Sequence, residues 1–165
     1  MYTLVSTRFN NDTWRENGEY RLKHDYKCIY SDQQKMSPKI LEDSLVFIVE
    51  MNNDKNQIEG IGLIKNKPIF DRYYKIYDIG NFNRYTFKSN YYLSREELLQ
   101  YNEILVQIFD YILFKEKTHM KRGAGYTTIP EKLLNHQKCE KINLKQEIKN
   151  IFLLNFRNDS LEIYL

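Results

Sequence analysis

Two stretches of the chain carry the strongest apolar patterns, and they predict different elements. Ser44–Met51 (SLVFIVEM) is a nearly continuous apolar run of strand length, rich in β-forming residues, as expected of a central strand. Asn52–Asn56 (NNDKN) is a turn by composition, and Ile58–Ile64 (IEGIGLI) returns as the partner strand of a hairpin. Gly60-Ile-Gly62 inside that strand implies close backbone packing or a bulge. Ser94 then opens the clearest helix. Ser94 and Glu97 have capping-box spacing, and Leu98, Tyr101, Leu105, Ile108 and Ile112 follow at intervals of three and four. This helix is expected to end near Phe114.

Weaker patterns fill in the rest. Tyr2–Phe9 alternates as a first strand. Asn10–Tyr26 is polar, contains Gly18, and reads as a long loop that carries the single tryptophan, Trp14. Lys27–Ser31, Tyr73–Ile79 (YYKIYDI) and Arg84–Leu93 read as further strands. Thr128–Glu131 (TIPE) starts a short helix, with Pro130 in its first turn, and Asn143 caps a third through about Phe156. Leu161–Leu165 reads as an edge strand. Strands come first and helices after, which favours α+β over alternating βαβ units. The expectation is one domain over residues 1–165: about six strands in a small mixed, partly open β-barrel, with one long and two shorter helices.

Composition bounds the function classes. A chain of 165 residues can bury a core without metal or disulfide support. Aromatics make up 15%, including 14 Tyr, so the core edges are expected to be amphipathic. No run of 18 apolar residues and no basic segment followed by an apolar one predicts neither a membrane span nor a secretory signal. Cys28 and Cys139 stand alone, as reduced thiols of an intracellular, cytoplasmic protein do. His24, His119 and His136 have no partners at ligand spacing, so no metal and no cofactor is expected. Nucleophile-elbow and phosphate-loop motifs are absent.

Charge narrows the search. Residues 1–64 carry a net −2, residues 65–122 a net +4, and residues 123–165 a net +1. The basic excess gathers in two clusters. In the first, Asn83, Arg84, Tyr85 and Lys88 interleave cations, an amide and an aromatic; rings of this kind stack on bases while Arg and Lys hold phosphates. Tyr85 and Phe87 also suit an inward strand face, with Arg84 and Lys88 turned to water. In the second, Lys115, Lys117, His119, Lys121 and Arg122 precede Gly123, Gly125 and Thr127. Glycines admit an anion to backbone N–H groups, and cations beside them add charge-assisted bonds. A solvated basic loop after a helix C-terminus has the same composition. Trp14 is either packed on the core or one wall of a pocket.

DSLVFIVEM followed by NQIEGIGLI, after a first strand and a Trp-bearing segment, resembles the PUA-like superfamily, with its EVE, ASCH and YTH-type domains. GIGLIKNKP, NFNRYTFK and HMKRGAGYTTIP look like uncharacterised proteins of large DNA viruses with AT-rich genomes. The resemblance implies a partial barrel that binds RNA, or a modified base, in a pocket beside it. A YTH-type cage uses several tryptophans, and this chain has one. The expected partner is nucleic acid, RNA ahead of DNA, or a nucleotide. The site would comprise Trp14, Asn83, Arg84, Tyr85, Lys88, His119, Lys121, Arg122, Gly123, Gly125 and Thr127. Two other classes compete: an enzyme acting on nucleic-acid phosphoesters with His119 as general acid/base, and a structural or host-interaction protein of a large DNA virus.

Overall fold

The computed structural model describes residues 2–159. Among them run β1 (Tyr2–Phe9), α1 (Asn11–His24), β2 (Cys28–Asp32), β3 (Leu45–Asn52), β4 (Gln57–Lys65), β5 (Tyr85–Ser89) and β6 (Tyr91–Ser94). There follow α2 (Arg95–Tyr101), α3 (Glu103–Phe114), β7 (Thr127–Thr128), α4 (Glu131–Leu134) and α5 (Leu144–Asn155). One sheet has the order β6-β4-β3-β1-β7, with β1 parallel to β3 and the other neighbours antiparallel. β2 and β5 pair as a separate antiparallel ribbon. The class is α+β, as expected. The described ladders do not join the two sheets into a closed barrel. The edge strand expected at Leu161–Leu165 lies outside the described residues.

Side chains alternate across β3 and β4, and this sets the layers. Phe47, Val49 and Met51, with Ile58, Ile61 and Leu63, face the helices and pack with Leu105, Phe109, Ile148 and Phe152. Val46, Ile48 and Ile64 face the other way, into a second core with Val5, Phe9, Ile29, Tyr30, Tyr77, Phe87 and Tyr126. The central strand is buried on both faces, which is why its sequence is apolar without alternation.

Most of Asn10–Tyr26 is helix, α1 at Asn11–His24, rather than loop. Asn10 and Thr13 form a reciprocal capping box, and Asp25 ends the helix in the left-handed conformation. The misreading has a physical cause: the buried residues of α1 are Asn17 and Arg21, so its inward stripe is polar. Asn17 Nδ2 donates to the Ile29 carbonyl at 2.9 Å and to Tyr77 Oη at 3.0 Å. Gly18 is mid-helix, and a Cβ there would meet nothing within 4 Å. Gly18→Ala is therefore expected to raise stability by about 0.5–1 kcal/mol. Urea unfolding checks it, and a loss of stability would contradict the open surface seen at this site.

Three other expectations change. The helix from Ser94 starts at its capping box and ends at Phe114, but Asn102 divides it. Asn102 leaves the helical region (φ −160°, ψ 93°) and its side chain caps α3 at the Leu105 N–H. Arg84–Leu93 splits into β5 and β6, which belong to different sheets. Tyr73–Ile79 is irregular, although Tyr74, Ile76 and Tyr77 are buried. Its backbone is held by one side chain: Asn83 Oδ1 accepts from the N–H groups of Ile76 and Tyr77, and Asn83 Nδ2 donates to the Tyr77 carbonyl. The alternating burial imitates a strand without a ladder. The Asn143-capped α5 and the short α4 after Pro130 form as expected.

A buried acid anchors the second core. Glu50 Oε1 accepts from Arg21 Nη2 at 2.7 Å and from Tyr30 Oη at 2.8 Å, and its Oε2 accepts from Tyr92 Oη at 2.9 Å. The Arg21 guanidinium lies over the rings of Trp14, Tyr30 and Tyr92, 4.9–5.5 Å from their centroids. Burial works against its charge, but Glu50 and the two phenols more than offset this and raise its pKa. Both hydroxyls reach Glu50 through space that glycine leaves. A Cβ on Gly60 would stand 2.3 Å from Tyr92 Oη, and one on Gly62 would stand 2.3 Å from Tyr30 Oη. The ladder also bulges here, since Glu50 opposes Gly60 while Met51 opposes Ile58. The GIG motif thus serves both close packing and a bulge.

Candidate functional site

The C-terminal end of β1 opens onto a small cavity of about 80 Å³. Its walls come from Thr7, Arg8 and Phe9 of β1, Thr13 of α1, and Tyr30, Ser31 and Asp32 of β2, with Tyr77 and Phe82 across from them. That volume suits a single ring or a few waters, not a drug-sized ligand. Phe9, Tyr30, Tyr77 and Phe82 make it aromatic. Its charged groups are Arg8 and Asp32.

Arg8 is held by two backbone carbonyls and two hydroxyls. Nη2 donates to the Gly125 carbonyl at 2.6 Å and to Thr127 Oγ1 at 2.8 Å; Nη1 donates to the Met120 carbonyl and to Ser6 Oγ, each at 3.2 Å. Its Nε is buried and has no partner. Burial lowers the Arg8 pKa, and Asp32 opposes that shift. Burial raises the Asp32 carboxyl above its ordinary value, while the N–H groups of Gln34 and Gln33 and the Arg8 charge pull it back. The cavity thus sets the charges of Arg8 and Asp32 between aromatic walls.

The two basic segments meet beside this cavity. Asp32 pairs with Tyr85 across the β2–β5 ladder, and a Cβ on Gly125 would lie 3.4 Å from Asp32 Oδ1. Gly125 has φ +63°, a conformation that glycine adopts without strain. A Cβ on Gly123 would stand 2.8 Å from Arg8 Nη1. The glycines let the 120–127 backbone close around Arg8. Tyr126 completes the junction, its ring edge-on to Phe87 at 5.4 Å and its hydroxyl donating to the Tyr85 carbonyl at 3.4 Å.

The other expected residues take distinct places. Trp14 lies on α1, edge-on to Phe9 at 5.1 Å, and so backs the cavity wall rather than lining it. Asn83 is buried, and its amide is used by the 73–77 backbone and Tyr73. It positions the turn that carries Phe82. Arg84 is exposed over the Tyr85 ring, and Lys88 is exposed over Tyr26 and Tyr74. Arg122 is exposed, while the Lys121 carbonyl accepts from Asn53 Nδ2. His119 Nδ1 accepts from the Lys121 N–H at 3.2 Å, and among the described residues no carboxylate bonds the ring. Cys28 is buried and its thiol is pushed up to about 12, which removes it as a nucleophile at neutral pH. Among the described residues no group of three or more His, Cys, Asp or Glu side chains is placed to hold a metal. No helix among them is long and apolar enough to cross a membrane.

A larger cleft of about 680 Å³ is the hollow of the 131–145 segment on the helical side. It brings no distant chemistry together, and Lys145 and Glu131 within it pair with each other at 3.2 Å. The smaller cavity is the better candidate because five separate parts of the chain converge there. Sequence reasoning missed Arg8, Phe9, Asp32 and Phe82. The available signal was a lone arginine closing an otherwise strand-like run, and an acid just after the short strand at Lys27–Ser31. No protein-family model, curated protein or solved structure matches the chain, so the reading of this site rests on its own geometry.

Proposed function

We propose that the protein is a nucleic-acid or nucleotide-binding module of the PUA-like kind, which takes one nucleobase into the cavity between Arg8 and Asp32. One observation carries the reading: Arg8, whose Nε is buried without a partner, and Asp32 both line the same small aromatic cavity. A base edge offers both an acceptor and a donor, and its faces suit Phe9, Tyr77 and Phe82. Exposed Arg84 and Arg122, near the mouth in sequence, supply charge for phosphate. RNA is favoured over DNA as the polymer.

Calorimetric titration with the four ribonucleoside monophosphates tests this. Wild-type protein is expected to bind at least one of them. Asp32→Ala should weaken that binding about tenfold or more, the usual effect of removing a charged hydrogen-bond partner. The melting temperature should move little, because Asp32 is only half-buried and the bond its side chain accepts from the Gln34 N–H is long, at 3.4 Å. Equal affinity in wild type and variant, or no binding to any of the four, sinks the proposal.

A further inference from the structure

Outside the cavity, the segment 65–73 and the outer side of β5 form a second feature. Two clefts, of about 470 and 360 Å³, share Ile69 and Phe70 as a common wall. Together they make one furrow that passes on both sides of Phe70. Lys65, Lys67 and Lys88 line one half; Arg72 and Arg84 line the other. All five cations are exposed. The one acid on the lining, Asp71, already accepts the Tyr74 hydroxyl at 2.6 Å. The ion pairs of Lys67 with Asp43 and of Arg72 with Asp71 are long and solvated, at 3.9 and 3.7 Å. In the middle, Phe70 is 68% exposed and Tyr73 beside it is 65% exposed. Large rings so open to water, flanked by five exposed cations with one acid among them, are unusual on a surface that binds nothing.

We infer that this furrow is a track for single-stranded nucleic acid, with Phe70 stacking on a base and Arg72, Arg84, Lys65, Lys67 and Lys88 holding phosphates. Cations alone fit any polyanion; the open rings select one with unpaired planar groups. A duplex hides its base faces and leaves Phe70 without a partner. Position supports the assignment too. The turn Gly80–Asn83 separates the furrow from the nucleobase cavity, with Phe82 in the cavity wall and Asn81 and Asn83 in the furrow wall. A strand lying in the furrow runs along the opposite side of this turn from the cavity. The inference rests on the proposed function and names the polymer that function acts on.

The test is fluorescence anisotropy of the full chain with a labelled single-stranded RNA of about a dozen nucleotides. The matching DNA strand and the blunt duplex are run beside it, across a salt series. Single strands should bind more tightly than duplex. Phe70→Ala should weaken strand binding about tenfold, the usual effect of losing one stacked base. Arg84→Ala with Lys88→Ala should lower the log–log salt slope by about 1.4, near 0.7 for each phosphate contact. Mononucleotide binding should survive Phe70→Ala and Lys88→Ala, whereas Asp32→Ala should weaken it about tenfold or more and leave the salt slope intact. The two readings therefore fail separately. Unchanged strand binding in both furrow variants, duplex bound as tightly as single strand, or displacement by polyglutamate as effective as by unlabelled strand would each overturn the inference. The last result would assign the furrow to an acidic protein segment.

Discussion

Glu50→Ala is expected to cost about 3–5 kcal/mol of folding stability, a large part of what a domain of this size has. The magnitude comes from what the change leaves behind. Glu50 is fully buried at the centre of the sheet, and three donors converge on its two oxygens. Removing the carboxylate strands the Arg21 guanidinium, which is 9% exposed, together with the hydroxyls of Tyr30 and Tyr92. Arg21 Nε already has no partner, so the group has no second acceptor in place to take up the loss. Glu50→Gln keeps the shape and part of the bonding, and should fall between wild type and alanine. Glu50→Leu combined with Arg21→Met should recover much of the loss, because it removes both charges rather than one. Chemical denaturation of the four proteins is the measurement. A loss below about 1 kcal/mol for Glu50→Ala would mean that water or another residue reaches the site and that the network is not closed.

The second large effect is at the two glycines beneath this network, and the two should behave differently. A Cβ on Gly62 would press on Tyr30, at 2.3 Å from its hydroxyl and 3.0 Å from its ring, and Tyr30 is 1% exposed with nowhere to move. A Cβ on Gly60 would meet the Tyr92 hydroxyl at 2.3 Å and also the Leu93 carbonyl oxygen at 2.8 Å. Each alanine is expected to cost about 1–3 kcal/mol, the usual range for overpacking a filled core. The contrast is in the rescue. Tyr30→Phe removes the atom that Gly62→Ala strikes first, so the double variant should lose less than the sum of the singles. Tyr92→Phe leaves the backbone carbonyl where it was, and should rescue Gly60→Ala poorly. Additive losses at the Gly62–Tyr30 pair would show that the hydroxyl is not what requires glycine there.

The parts of the fold that were legible share one property: burial there is carried by apolar side chains. Ser44–Met51 and Ile58–Ile64 announce the central hairpin because both faces of β3 are covered. The α2–α3 region and α5 announce themselves through caps that sit where Ser94 and Asn143 stand. What stayed hidden is held by polar atoms. The inward face of α1 is Asn17 and Arg21, which no hydrophobic period reveals. The segment 73–79 hides its tyrosines under the amide of Asn83 instead of a ladder. The site followed the same rule. The meeting of Asn83–Lys88 with His119–Thr127 could be anticipated from charge and glycines, and the two segments do touch through Tyr126. Arg8 and Asp32, the two charged groups of the cavity, sit at strand ends where a single side chain makes no pattern.

The docking of α1 has a consequence for motion. α1 is seated by the directional bonds of Asn17 and Arg21, with Trp14 and Tyr20 half-buried against the second core, so lifting it leaves the buried Glu50 without its cation. Opening of the helix alone uncovers less surface than unfolding of the whole domain, and so carries a smaller heat-capacity change and a weaker response to denaturant. Because an unpaired Glu50 is costly, the amides around Arg21 are expected to exchange only in rare openings. Thr13 and the Trp14-backed Phe9 belong to the cavity wall, so each excursion also unroofs the cavity. The same polar face that concealed α1 in the sequence is what latches that wall of the pocket shut.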